Sequence, residues 1–277
     1  MVLSSPGRVT RGGMAPAAGL DDGAAHSPTV LPAQTPSPQV AAAAAPSVAV
    51  LLMSRVRASA VPWALGRLVR GAAPLRGVPG LRFARVLGSG RQGGFGIRPG
   101  LDCQGVFALF DGLQDAQRFA HESAVAAAYC ERAEESFSAV LQAISVKGSW
   151  AGQGMSVGGT PPLPGVPVAA LTRAAIRPRH LLRFWKHSPP AEAELAQAPG
   201  CQLAVGLGEA PLLRQATFSL WDSAAAMDSY ARHGAHQRAI HAAWGGHYFS
   251  EWMFVRFVPL ALRGRWQGRD VGHADHG

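Results

Sequence analysis

Residues 47–57 read SVAVLLMSRVR, and residues 167–177 read PVAALTRAAIR. Val48 aligns with Val168, Leu51 with Leu171, Val56 with Ile176 and Arg57 with Arg177, each 120 positions apart. PGLRFARVLGSG at 79–90 returns at the same spacing as PGCQLAVGLGEA at 199–210. QGVFALFDGLQDAQRFA at 104–120 returns as QATFSLWDSAAAMDSYA at 215–231, now 111 positions on. The nine positions are lost in the loop between the second and third blocks, so the chain carries one frame twice.

Each copy reads as strand, helix, strand, strand, helix, strand. In the first, the apolar run at 48 leads to VPWALGRLVRGA with helical spacing, then LRFARVL, GVFALF, a helix from Asp111, and SFSAVLQAISV. In the second, VAALTRAAI leads to RHLLRFWKH, then CQLAVGLG, ATFSLW, helices from Asp222 to about Trp244, and EWMFVRFVPL. This predicts an α+β fold of two tandem ferredoxin-like (βαββαβ) repeats, paired like a dimeric α/β-barrel, each sheet with helices on one face. The predicted boundaries are a disordered low-complexity extension at 1–46, repeats at 47–150 and 167–262, a linker at 151–166 and a disordered tail at 263–277.

Gly88, Gly90 and Gly93 spell G-x-G-x-x-G after a strand, but Gly94, Gly96 and Pro99-Gly100 leave no helix N-terminus to hold a pyrophosphate. A glycine-rich loop is the reading. The formal charge is +9, carried almost wholly by scattered arginines, since lysine occurs only at 147 and 186. Without a dense basic run, nucleic acid is not an expected partner, and the charge points instead to an anionic membrane surface or an anionic cofactor. The longest apolar run, residues 40–53, is too short to span a bilayer, and no signal peptide is predicted. Cys103, Cys130 and Cys201 are odd in number and far apart, which predicts neither disulfides nor zinc and fits the cytoplasm.

Candidate chemistry is sparse. Asp111 and Asp222 stand at equivalent positions and read as helix N-caps; Glu134 and Glu135 read as solvated. No nucleophile–base pair is recognisable, which points towards cofactor chemistry. Of the late histidines, His236 and His241 lie five apart, about 140° around a helix, which argues against a shared metal. His236 shares a face with Ala239, Ile240 and Ala243. One imidazole on an apolar face is either a core histidine or an axial haem ligand. Phe184, Trp185, Trp221 and Tyr230 would serve equally as core or as the wall of a pocket for a large apolar ligand.

Four segments in order, LGSGRQGGFGIRP from 87, ALTRAAIRPRHLLRFWKH from 170, GLGEAPLLRQATFSLWDSAAAM from 206 and HQRAIHAAWGGHYFSEWMFVRF from 236, resemble the spheroidene monooxygenase family. These are the acyclic carotenoid 2-ketolases of purple bacteria, and the resemblance spans about residues 47–260. The chain departs from the family pattern LGSGTGEGF, and from a basic-acidic step at Ala243-Trp244-Gly245. The resemblance implies a haem oxygenase, supplied with O2 and with electrons from ferredoxin, that hydroxylates C-2 of an acyclic carotenoid twice to give a ketone. It implies His236 as the metal ligand, with Arg173 and Arg177 of the LTRAAIRP segment pairing the haem propionates. It is compatible with peripheral contact at the inner membrane. Two other readings use the same apolar pocket: a cofactor-free monooxygenase of the dimeric α/β-barrel kind, and a non-enzymatic carrier.

Overall fold

A computed structural model describes residues 45–94, 99–158, 163–210 and 212–272. Most of the expected N-terminal extension and part of the glycine-rich loop lie outside the described residues.

The alternating apolar runs form strands because period-two patterning places one set of side chains on each face of a pleated ribbon. The first half contains β1 (Val48–Val56), α1 (Val61–Arg70), β2 (Leu81–Gly90), β3 (Pro99–Phe110), α2 (Leu113–Glu122), α3 (Ala124–Arg132) and β4 (Ala133–Gly148). The second contains β5 (Val168–Ile176), α4 (Leu181–Ala196), β6 (Cys201–Ala210), β7 (Arg214–Trp221), α5 (Ala224–Ala231), α6 (Gly234–Gly245), β8 (Phe249–Trp266) and β9 (Arg269–Asp270).

All strand pairings are antiparallel, in the order β4-β1-β3-β2-β6-β7-β5-β8, and β8 pairs with β4 to close an eight-stranded barrel. The two closures are unequal. β4 and β8 stay in register from Phe137↔Gly264 to Gly148↔Met253, with two shifts, whereas β2 and β6 share the single pair Gly88↔Gly208.

Inward residues of every barrel strand meet in one core: Leu51, Leu87, Phe107, Leu141, Leu171, Val205, Phe218 and Phe257 are all buried there. Trp150 and Trp266 fill its interior further. The barrel is thus a packed core rather than a channel, as small closed barrels are. The outward faces are covered by helices. Val50, Ala108 and Phe110 pack with Phe119 of α2 and Tyr129 of α3, and Val168 and Ala170 pack with Leu195 of α4 and Met227 of α5.

Local details differ from the sequence reading. The N-cap of α5 is Ser223, whose hydroxyl accepts from the Ala226 N–H at 3.2 Å, and Asp222 instead accepts from the Gln202 amide at 2.6 Å. Asp111 pairs with Arg82 at 3.3 Å, and Gly112 is the N-cap of α2. The one helix expected after Asp111 is split into α2 and α3 by Ser123, whose hydroxyl caps α3 through the Ala126 N–H. β8 continues beyond Leu262, where the sequence reading ended the second repeat, to Trp266, and Val271 after β9 joins the core. Glu135 is not solvated: its carboxylate accepts from the N–H groups of Gln267 and Gly268 at 3.0 and 2.8 Å and holds this final turn.

Candidate functional site

Two polar features interrupt the apolar architecture, one inside the barrel and one on its outer layer. The inner one follows from strand alternation. Ala169 and Leu171 of β5 point into the core, so Arg173 points inward too, and it is only 4% exposed. Glu251, in phase with Met253 and Val255 of β8, accepts a short charge-assisted hydrogen bond from the Arg173 guanidinium. Glu209, in phase with Val205 and Leu207 of β6, lies 3.7 Å from Arg173, 3.4 Å from Arg85 and 3.6 Å from Arg214. The Trp150 indole N–H also donates to Glu209.

Burial pushes the Glu251 carboxyl up. The Gly152 N–H, the Arg173 guanidinium and the Ser149 hydroxyl outweigh it and hold the group below the usual carboxylate range. A buried charge needs this degree of pairing. Arg173 thus pairs in this structure with two carboxylates of the chain itself, Glu251 and Glu209. Arg177, just past β5, donates from Nε to the Phe249 carbonyl at 3.1 Å and has no carboxylate partner among the described residues. Beside it the His180 ring stacks on Tyr248 at 5.0 Å.

The outer feature is His236 in α6. Its helix face is the one that spacing predicts: Ala243 is buried and Ala239 and Ile240 half-buried, while Gln237, Arg238 and His241 are exposed. The half-buried imidazole stacks on Tyr230 of α5 with centroids 4.7 Å apart and planes 29° off parallel. Tyr230 is itself fixed by its hydroxyl, which donates to the Ala191 carbonyl of α4 at 2.7 Å, and by its ring against Trp221. Burial lowers the His236 pKa, with Glu194 opposing the shift, so the ring is neutral at pH 7.

His236 and Arg173 do not meet, because they lie on opposite faces of the barrel wall. The remaining histidines do not assemble a metal site: His233 bonds the Ser229 carbonyl at 2.7 Å, and no group of three ligating side chains occurs among the described residues. A single neutral imidazole in an apolar setting, with no hydrogen bond to either ring nitrogen among the described residues, does fit one axial haem ligand. A cleft of about 300 Å³ opens at the barrel end between Leu203, Leu220 and Trp266. The Trp266 indole N–H is buried there without a partner among the described residues.

Sequence reasoning missed Trp150, Glu209 and Glu251. Their only signal was strand parity, which puts Glu209 and Glu251 on the inward track.

The architecture defines a closed antiparallel α/β barrel with an outer layer of helices and a solid interior. Among solved structures, an aldoxime dehydratase in complex with butyraldoxime shares this fold with a TM-score of 0.50 at 10% identity, over 77% of this chain and 79% of that one. The sequence is far closer to a named group. It is 52% identical over 225 residues to the spheroidene monooxygenase of Rubrivivax gelatinosus, covering 81% of this chain and 87% of the relative. It is 33% identical over 215 residues to that of Rhodobacter capsulatus, covering 76% and 89%. The chain belongs to the spheroidene monooxygenase family. No family model matches it.

Proposed function

We propose that the protein is an O2-dependent oxygenase that converts C-2 of an acyclic carotenoid of the spheroidene type into a ketone. The observation that carries this is the 52% identity, over most of both chains, to a relative named for that substrate. Two successive hydroxylations at one carbon give a gem-diol, which loses water to the ketone. The finer reading of the barrel as two ferredoxin-like units in tandem has its support in the order β-α-β-β-α-β, met in both halves apart from the paired helices.

The cofactor we propose is haem, bound through His236, and when bound it supplies the iron that activates O2. The chain's own contribution is positional. His236 presents an unprotonated ring because burial disfavours the imidazolium. Tyr230 sets the plane of that ring through the stacking contact, and Ala191 in turn sets Tyr230. Trp221 and Met227, with Tyr230 packed against them, form an apolar layer on the outer face of the sheet beside this ring. Since the barrel interior is filled, the outer layer around α4, α5 and α6 is the region we assign to cofactor and substrate. Arg177, at the edge of this layer and without a carboxylate partner, is the better of the two arginines for an anionic cofactor group. Ferredoxin is the proposed electron donor.

The test is expression in a host that accumulates spheroidene, with pigment mass as the readout. One oxygen gained and two hydrogens lost is the expected product. The haem step is read separately: protein reconstituted with haem shows a Soret band, and His236→Ala loses most of it. Ketolation that survives complete haem removal would overturn the cofactor assignment.

A further inference from the structure

Helix α1 carries apolar residues on both faces: Trp63, Ala64 and Leu68 pack inward, and a second set points to solvent. Its outward arc is Pro62, Leu65, Gly66 and Val69, with Val69 88% and Leu65 39% exposed, while Arg67 is buried beneath the helix beside Tyr129. The ordinary amphipathic pattern puts the charge outward. Ala73 and Pro74, just after the helix, are exposed as well.

The chain segment that carries this surface holds charged residues of one sign only. Between Arg55 and Leu101 the chain has no acidic residue, and Arg70 and Arg76 stand exposed with no ion pair among the described residues. The equivalent helix of the second half has the same character at its start. In α4, Leu182 is 87% exposed, with Arg179, Arg183 and Lys186 around it and no acid before Glu192. The two helices flank one seam of the barrel. Leu68 of α1 sits over Gly88 of β2, Gly88 pairs with Gly208 of β6, and α4 packs on β6.

We infer that α1 and the start of α4 form a surface that docks on an anionic lipid bilayer, with Leu65, Val69 and Leu182 entering the interface and the arginines meeting the headgroups. Exposed aliphatic tips gain free energy only in an apolar medium, and flanking arginines can lie along the surface with their heads at the phosphates. That combination is the physical signature of an interfacial helix. A protein partner with an apolar patch inside an acidic rim could cover the same residues, so binding to protein-free vesicles decides between the two.

The experiment is co-sedimentation of the full chain with phosphatidylglycerol vesicles and with phosphatidylcholine vesicles. Binding to the anionic vesicles at least tenfold stronger than to the zwitterionic ones is expected. The pair Leu65→Glu and Val69→Glu is expected to weaken it tenfold or more, and Arg70→Glu with Arg76→Glu about fivefold per arginine, less so at high salt. Circular dichroism and Tm confirm folding, and Leu182→Glu in α4 is an independent variant of the same surface. Wild-type protein left in the supernatant with phosphatidylglycerol would overturn the inference. So would vesicle binding that needs the arginines but ignores all three aliphatic residues, which would show general attraction to anionic surfaces without entry into the interface. Because vesicle binding is read without turnover, this result is separable from the oxygenase assignment.

Discussion

Arg173 is the residue whose surroundings constrain it most. Its guanidinium, 4% exposed, lies between Glu209 and Glu251 on the inward track of the barrel, and Glu251 keeps 27% of its side chain in solvent. Removing Arg173 takes from Glu251 its guanidinium partner, while Glu209 keeps Arg85 and Arg214. Arg173→Met is therefore expected to cost about 3 kcal/mol in urea unfolding, the low end for a broken buried pair. Arg173→Lys should recover only part of this, because an ammonium cannot span both carboxylates as a planar fork does. His236 makes the opposite prediction, in pH rather than in charge deletion. Its folded-state pKa lies below the ordinary value of 6.5, so the unfolded chain binds the proton more readily. The stability associated with the neutral ring is present above pH 6.5 and is lost as pH falls through the folded-state value. Tm measured from pH 7.5 to 5 should drop less steeply in His236→Phe than in the unsubstituted protein. Parallel profiles would mean that the ring titrates as it does in water.

At the scale of elements, strand positions were readable because alternation is a local property, and β1 and β5 fall where the apolar runs put them. Helix starts were not, since an aspartate and its neighbour both look like caps until backbone angles choose between them; Ser223 won over Asp222 by one residue. The end of β8 was hidden for another reason. Arg263-Gly264-Arg265 reads as a polar turn, yet β4 supplies a partner and Trp266 an anchor that no local pattern announces. Gly264 itself is required by that pairing. It has φ +108, and a Cβ there would stand 2.2 Å from the Ser136 carbonyl oxygen. Gly148, with φ +79, would place one 2.1 Å from the Trp252 carbonyl oxygen at the other end of the same strand pair. Gly148→Ala and Gly264→Ala should each destabilise by about 2 kcal/mol or more, measured by urea unfolding. Gly154→Ala is the control, because a Cβ at Gly154 meets nothing within 4 Å and its φ lies outside the left-handed region; it should stay within about 0.5 kcal/mol.

For the whole molecule, the consequence lies in how the ring of strands is shut. The repeat was legible, and with it the two halves, but the closure was not, because pairing between strands of different halves leaves no periodic trace in either. One closure, β4 with β8, is long and carries buried side chains from both strands, among them Phe137, Leu141 and Phe257. The other has a single backbone pair, Gly88 with Gly208, and is joined by the Ser89 hydroxyl donating to the Gly206 carbonyl and by the Arg85–Glu209 ion pair. Local opening follows such differences in hydrogen bonding and packing. Hydrogen exchange is therefore expected to be fastest, among the barrel strands, in peptides covering 81–90 and 201–210, and slowest in those covering 137–148 and 250–262. Ser89→Ala should cost about 1 kcal/mol and should accelerate exchange at the first pair of peptides while leaving the second pair unchanged. Uniform protection around the ring would show that Leu68 of α1, lying over Gly88, compensates fully for the missing strand pairing. Leu68→Ala would then open the seam where Ser89→Ala had not.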